Sequence, residues 1–233
     1  MAFYLFYGKL RDMSKGKFFV IDGPDGCGKS SQVELLVKFL RQKGKKVLVV
    51  RDPGSTVIGD KIRDILLDPI HKQMTPMTEL FLYFASRAQM VDEIIKPALK
   101  QNKIVICDRF LSSTLVYQGY AGGVGEKMVD KIWQMTMKDF KPDITIILDV
   151  PPERGLGRIK KTRLFKTNGG FAPISGTACG LDRMEQKKLL FHKKVRAGFI
   201  KLVKANRKTY RLIDGTKTIE EVHRQIEKII DER

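Results

Sequence analysis

Residues 17–31, KFFVIDGPDGCGKSS, decide the fold. Phe18, Phe19, Val20 and Ile21 form an uninterrupted apolar run, the pattern of a short strand buried on both faces. Gly23-Pro-Asp-Gly-Cys-Gly28-Lys29-Ser30 follows with the spacing G-x-x-x-x-G-K-[ST] of a phosphate-binding loop. Glycine lets such a loop turn its backbone N–H groups onto a phosphate, and the helix start beyond it adds positive partial charge. Lys29 offers a compact cation for a transferred phosphoryl group, and the Ser30 hydroxyl is a typical Mg²⁺ ligand. The helix is announced by Val33, Leu36, Val37 and Leu40 on one face. A chance match to the octet would lack the strand before it and the helix after it.

At 233 residues the chain has the length of one domain, or of one domain with an elaborated lid. No segment approaches the ~18 apolar residues of a membrane span, and the aromatic run Phe3–Tyr7 lacks the cationic flank of a signal peptide. Residues 1–16 read as an N-terminal extension, either a mis-assigned start or a surface-packing segment, and 17–233 as the functional domain. The 44 Lys+Arg against 26 Asp+Glu give a net charge of +18. That excess suits polyanionic ligands, nucleotides included. Much of it lies on amphipathic helices, where a solvated basic face is the default, so neither a specific nucleic acid nor a membrane is expected as partner. Cys27, Cys107 and Cys179 are odd in number and far apart, which argues for a reducing compartment, the cytoplasm, and against a disulfide or zinc framework.

Further strands are expected at 46–50, 103–108, 143–150 and 209–213, alternating with helices, so the fold class is α/β with a doubly wound, five-stranded parallel sheet. Arg51 ends the second strand, where open sheets of this kind bind ligands; a solvent-facing arginine is the alternative. A long helix is expected from Met77 towards Ala98. On it Tyr83 and Arg87 stand four apart and share a face. The pair suits either a base, stacked and hydrogen-bonded, or a core aromatic beside a surface cation, and spacing does not choose. Asp108 at the end of the third strand is placed to hold Mg²⁺ or its water shell, and Arg109 to neutralise a phosphate. Residues 117–125, YQGYAGGVG, are too rich in glycine for a helix interior and read as a binding loop. Arg154, Arg158 and Arg163 lead into 164–181, expected as a loop and a candidate lid, with the lid spanning about 154–181. Asp182–Glu185 is expected to cap a helix reaching Ala205, and His192 on that helix reads as structural.

In order and spacing, FFVIDGPDGCGKSSQ, RDPGST, SRAQ, IKPALKQNKIVICDRF, STLVYQG, PDITIILDVPPERGL, LDRMEQ and the LIDG–EEVH tail resemble the thymidylate kinase family, from residue 17 nearly to the end. The resemblance implies a P-loop nucleoside monophosphate kinase that phosphorylates dTMP with ATP and Mg²⁺, as a homodimer. It implies that Gly23, Pro24, Asp25, Gly26, Cys27, Gly28, Lys29, Ser30 and Ser31 bind ATP. By position, Arg51 and Arg109 hold the acceptor phosphate and Asp25 approaches the deoxyribose 3′-hydroxyl and the metal region. Tyr83 stacks on thymine, Arg87 reads its edge, and Thr114, Tyr117 and Gln118 line the pocket, the tyrosine disfavouring a 2′-hydroxyl. Ser30, Asp108 and Glu185 are the implied metal residues. Some members carry a catalytic arginine within the P-loop. Gly26 occupies that position here, so Lys29, Asp25, Arg109 and the lid arginines Arg158 and Arg163 form the implied catalytic set. The chain departs from the family at Asp52, where glutamate is usual, at Ser55, where glycine is common, and in a lid longer than typical. A kinase of another nucleotide is expected to lose SRAQ and YQG together, and a non-catalytic module to lack Lys29, Asp108 or the lid arginines. All are present.

Overall fold

The computed structural model describes residues 16–138, 140–168 and 181–232, with backbone alone over 162–168. Five parallel strands form one sheet: β1 (Lys17–Asp22), β2 (Val47–Arg51), β3 (Ile104–Asp108), β4 (Ile144–Asp149) and β5 (Tyr210–Asp214), in the order β2-β3-β1-β4-β5. β1 lies at the centre, which is why its apolar run is continuous. Phe18 and Val20 face a core with Leu80, Phe84 and Trp133, while Phe19 and Ile21 face the opposite core with Leu36, Leu40 and Ile226. The chain reverses direction across the sheet at β1, so the crevice beyond its carboxyl end is where such a sheet receives ligands.

Helices cover both faces. α1 (Lys29–Gln42) packs against α9 (Ile219–Asp231), and α2 (Val57–Leu67) against α3 (Pro76–Met90). After α3 the helix relaxes into a π-turn, Val91–Ile95, before α4 (Lys96–Lys100). The long helix expected from Met77 is therefore three pieces. Pro97 supplies the reason: it has no N–H for the regular ladder, and a wider turn absorbs the mismatch.

The glycine-rich stretch differs from the expected loop. α5 (Leu111–Thr114) runs on as a π-helix over Leu115–Ala121, with Val116, Tyr117 and Gln118 buried. Its Gly119 is there for contact: a Cβ would stand 3.2 Å from Val129 on α6 (Glu126–Met137). Only beyond it do Gly123 and Gly125 take the positive φ of a turn. α7 spans Pro152–Asn168, so helix reaches past Leu164, where a loop was expected. α8 (Leu189–Ala205) begins later than expected. Asp182–Lys187 is instead a self-bonded turn, in which Asp182 Oδ1 accepts from the N–H groups of Met184 and Glu185. Residues 1–15 of the extension, lid residues 169–180 and Cys179 lie outside the described residues.

Candidate active site

β1 delivers the loop that follows it to the sheet's carboxyl edge, and Asp22 pins the loop there. Fully buried, this carboxylate accepts from the Gly23 N–H (2.8 Å), from Ser113 Oγ (2.7 Å) and from Ser112 Oγ. Gly28 precedes α1 with φ 97°, and the helix start has neither a side-chain cap bond nor an acidic residue in its first turn. Its N–H groups and partial positive charge are thus left for an anion. Lys29 Nζ donates to the carbonyls of Gly23 (3.2 Å) and Pro24 (3.0 Å). Ser30 and Ser31 are exposed on the first turn of α1. Cys27 is buried beside Lys29, and burial raises its thiol above the usual value despite that cation.

Arg109 organises the centre. Its φ is 68°, a left-handed conformation costing a non-glycine residue about 1–2 kcal/mol. Its own contacts over-determine it: the guanidinium donates to Asp25 Oδ1, Gly23 O (3.0 Å) and Ser113 Oγ (3.0 Å), and lies 3.5 Å from Asp22. The Tyr117 hydroxyl donates to the other Asp25 oxygen at 2.8 Å, and the Tyr117 ring lies under the guanidinium. Burial pushes the Asp25 carboxyl up, but Arg109, Lys29, Tyr117 and His192 together outweigh it and hold the group below its ordinary value. For Tyr117, burial dominates and the phenol stays protonated far above its usual range.

His192 was expected to be structural. It is buried, yet its Nδ1 lies 3.8 Å from Asp25 Oδ2, which makes it part of this centre. A lone histidine on a helix carries no sequence signal of that placement.

A second centre lies beneath α3. Arg87 is 1% exposed, so it is not a surface cation. Its Nε donates to Asp52 and its Nη2 to Thr114 Oγ1 (2.7 Å), between the rings of Phe84 and Phe110. Arg87 Nη1 and Asp52 Oδ1 have no hydrogen-bond partner. Burial lifts the Asp52 carboxyl above its ordinary value, and Arg87 offsets this only in part. Tyr83, one turn before Arg87, is half-buried, and burial followed by Glu79 raises its phenol. Gln118 Nε2 donates to Glu79 (2.7 Å), whose other oxygen meets Arg183 Nη1 at 2.6 Å; Arg183 Nε donates to Leu66 O (2.8 Å). Glu79 and Arg183 were not among the expected site residues. Arg183 does stand in the LDRMEQ segment, immediately beyond the residues expected as a lid.

The remaining candidates divide. Arg51 is exposed at the end of β2, in register with Asp108. Asp108 Oδ1 is buried without a partner. Glu185 Oε2 accepts from the Asp182 N–H in the turn over Asp182–Lys187. Arg158, exposed on α7, reaches the Gly215 carbonyl (3.3 Å) and the Gly26 carbonyl (3.5 Å), so it touches the P-loop. The Arg163 side chain lies outside the described residues. Among the described residues no cluster of three or more His, Cys, Asp or Glu side chains forms a ready metal cage.

A parallel sheet, a P-loop at its central strand and a basic helix laid on that loop define the class as a P-loop nucleoside monophosphate kinase. Within that class, residues 21–226 match the thymidylate kinase family, and the chain belongs to it. It is 41% identical over 216 residues to a thymidylate kinase of Thermoanaerobacter sp. (strain X514), covering 93% of this chain and 98% of the relative. It is 42% identical over 208 residues to that of Geotalea daltonii, covering 88% and 92%. The crystal structure of thymidylate kinase from Ehrlichia chaffeensis superposes with a TM-score of 0.69 at 29% identity, over 93% of this chain and 99% of that one.

Proposed function

We propose that the chain transfers the γ-phosphoryl group of ATP to the 5′-phosphate of dTMP, releasing ADP and dTDP. The observation that carries this reading is the Arg109–Asp25–Tyr117 cluster, in which acceptor-side residues bond directly to the P-loop. Donor and acceptor phosphates are thereby brought to one place, and phosphoryl transfer needs positioning and spread positive charge rather than a covalent intermediate.

In this reading the loop N–H groups and Lys29 hold the donor phosphates, and Arg109 and Arg51 hold the acceptor phosphate. The unsatisfied Arg87 Nη1 takes a carbonyl on the edge of the base, while the half-buried Tyr83 offers its ring face. Thr114 and Gln118 are themselves fixed by Arg87 and Glu79, so they shape the pocket from behind. Asp25, ionised, accepts from the sugar hydroxyl. Mg²⁺, when bound, neutralises phosphate charge; Ser30, Asp108 and Glu185 would hold it or its water, and the unpartnered Asp108 Oδ1 fits that role. Arg158, with Arg163, supplies the charge that Gly26 does not, from a lid over about 154–181.

Exposed Val57, Ile58 and Ile65 on α2, Phe81 on α3 and Met135 on α6 lie on helices that pack in series, which supports self-association as a homodimer. Among the described residues no helix is long and apolar enough to cross a membrane. The two buried cysteines described are free thiols, which suits a cytoplasmic setting. A coupled ADP-release assay across dTMP, dUMP, dCMP, dGMP and AMP tests the reading. Turnover is expected to be highest with dTMP, and preference for any other acceptor overturns it.

A further inference from the structure

The first turn of α7 meets the P-loop backbone to backbone. A Cβ on Gly26 would stand 2.0 Å from the Gly155 carbonyl oxygen, and a Cβ on Gly155 would stand 2.2 Å from the Asp25 carbonyl oxygen. Non-bonded heavy atoms settle at about 3.5 Å or more, so Gly155 fills the space a side chain on Gly26 would need, and the Asp25 carbonyl fills the space a side chain on Gly155 would need. Neither clash can be relieved by a rotamer, because the opposing atoms are main chain. Arg158 stands three residues beyond Gly155 and so shares its face of the helix. From there it reaches the carbonyls of Gly26 and Gly215. Gly157, on the same helix, has nothing within 4 Å of a built Cβ.

We infer that Gly155 is a positioning residue for phosphoryl transfer: its bare contact with Asp25 and Gly26 sets the distance at which α7 carries Arg158 over the P-loop. This rests on the reading of Arg158 as the lid cation. A methyl group at 155 must open the contact between α7 and the P-loop by about 1 Å, and a misplacement of that size costs a catalytic group up to ~10²-fold. The guanidinium acts on charge that develops during transfer, so the loss falls on kcat and leaves KM for dTMP nearly unchanged.

Gly157→Ala is the control, because it makes the same change in helix propensity without meeting any atom. Steady-state kinetics and thermal midpoints are measured for Gly155→Ala, Gly157→Ala, Arg158→Ala and the double variant Gly155→Ala/Arg158→Ala. Expected results are a kcat loss of about tenfold or more in Gly155→Ala at a native-like midpoint, and a change under about twofold in Gly157→Ala. The double variant is expected to be no slower than Arg158→Ala alone, since both changes remove one interaction. The inference is overturned if the two glycine variants have equal kcat, if the double variant multiplies the single losses, or if Gly155→Ala does not fold. A contact that only sets the reach of a side chain leaves the fold standing. Wild-type protein inactive on dTMP sinks the proposed function instead, and the variants are then compared on the acceptor that the panel identifies.

Discussion

Two of the arginine–carboxylate pairs in this site, Arg109–Asp25 and Arg87–Asp52, are built differently. Arg109 is 20% exposed at its side chain, donates to two carbonyl or hydroxyl groups besides Asp25, and faces the P-loop. Arg87 is 1% exposed, has Asp52 and Thr114 as partners, and leaves one nitrogen and one Asp52 oxygen unsatisfied. The first pair is complete without a ligand and presents a fixed charge. The second holds a donor in reserve, at the energetic cost of burying it, and that is the form expected of a group that reads a ligand.

The largest effect is expected at the first pair. Arg109→Ala removes the cation that is bonded to the loop and that the proposed function assigns to the acceptor phosphate, and kcat/KM for dTMP should fall by ~10³-fold, the upper range for a single electrostatic donor. Steady-state assays showing a loss below about tenfold would place the acceptor phosphate elsewhere.

The pairs should also separate in stability. Asp52→Ala strands a guanidinium that has almost no access to water, and breaking a buried pair on one side costs about 3–5 kcal/mol. Asp25→Ala leaves Arg109 with Gly23, Ser113 and some solvent, so the loss should be nearer the ~1.5–3 kcal/mol of one charged hydrogen bond. Urea unfolding of both variants decides; a larger loss at Asp25 reverses the ranking of the two pairs.

Tyr83→Ala sharpens what the second pair serves. Stacking on a base is worth ~1–3 kcal/mol by alanine substitution, so KM for dTMP should rise while KM for ATP stays. Equal increases for both nucleotides would mean that Tyr83 packs the core and reads nothing.

The contrast between the pairs also marks what the sequence discloses. The P-loop is contiguous, and its residues meet because they are neighbours. The strands are legible because a sheet buried on both faces writes itself as β-branched runs, as at Ile104–Ile106. Arg87, Asp52 and Thr114 meet across separations of 35 and 27 residues, and no spacing rule joins them. Nor does any rule join His192 to Asp25, or Glu79 to Arg183. The glycine run at 119–125 misled for a physical reason: glycine marks close approach as well as turning, and Gly119 and Gly122 are there for approach. Family resemblance names Arg87 and Thr114 as candidate site residues, but their burial and mutual bonding belong to the packed structure.

The smallest expected effect is one of sign. The Asp25 carboxyl lies below its ordinary value, which is 3.8 in an unperturbed chain, because Arg109, Lys29, Tyr117 and His192 outweigh burial. Below that value the unfolded chain takes up its proton first, so the stability contributed by Asp25 is full above pH ~4 and is lost as pH falls through the folded value. Asp52 is displaced the other way, because burial outweighs Arg87. There the folded protein keeps its proton longer, so the wild type loses stability as pH rises from ~4 through the folded value. Unfolding free energies of wild type, Asp25→Asn and Asp52→Asn, compared between pH 3 and 7, should therefore diverge. As pH falls, the gap between wild type and Asp25→Asn should narrow, whereas the gap to Asp52→Asn should shift in favour of wild type. Slopes of the same sign would show that the two carboxylates feel the same balance of burial and charge, and the distinction between a completed pair and a reserved one would not hold.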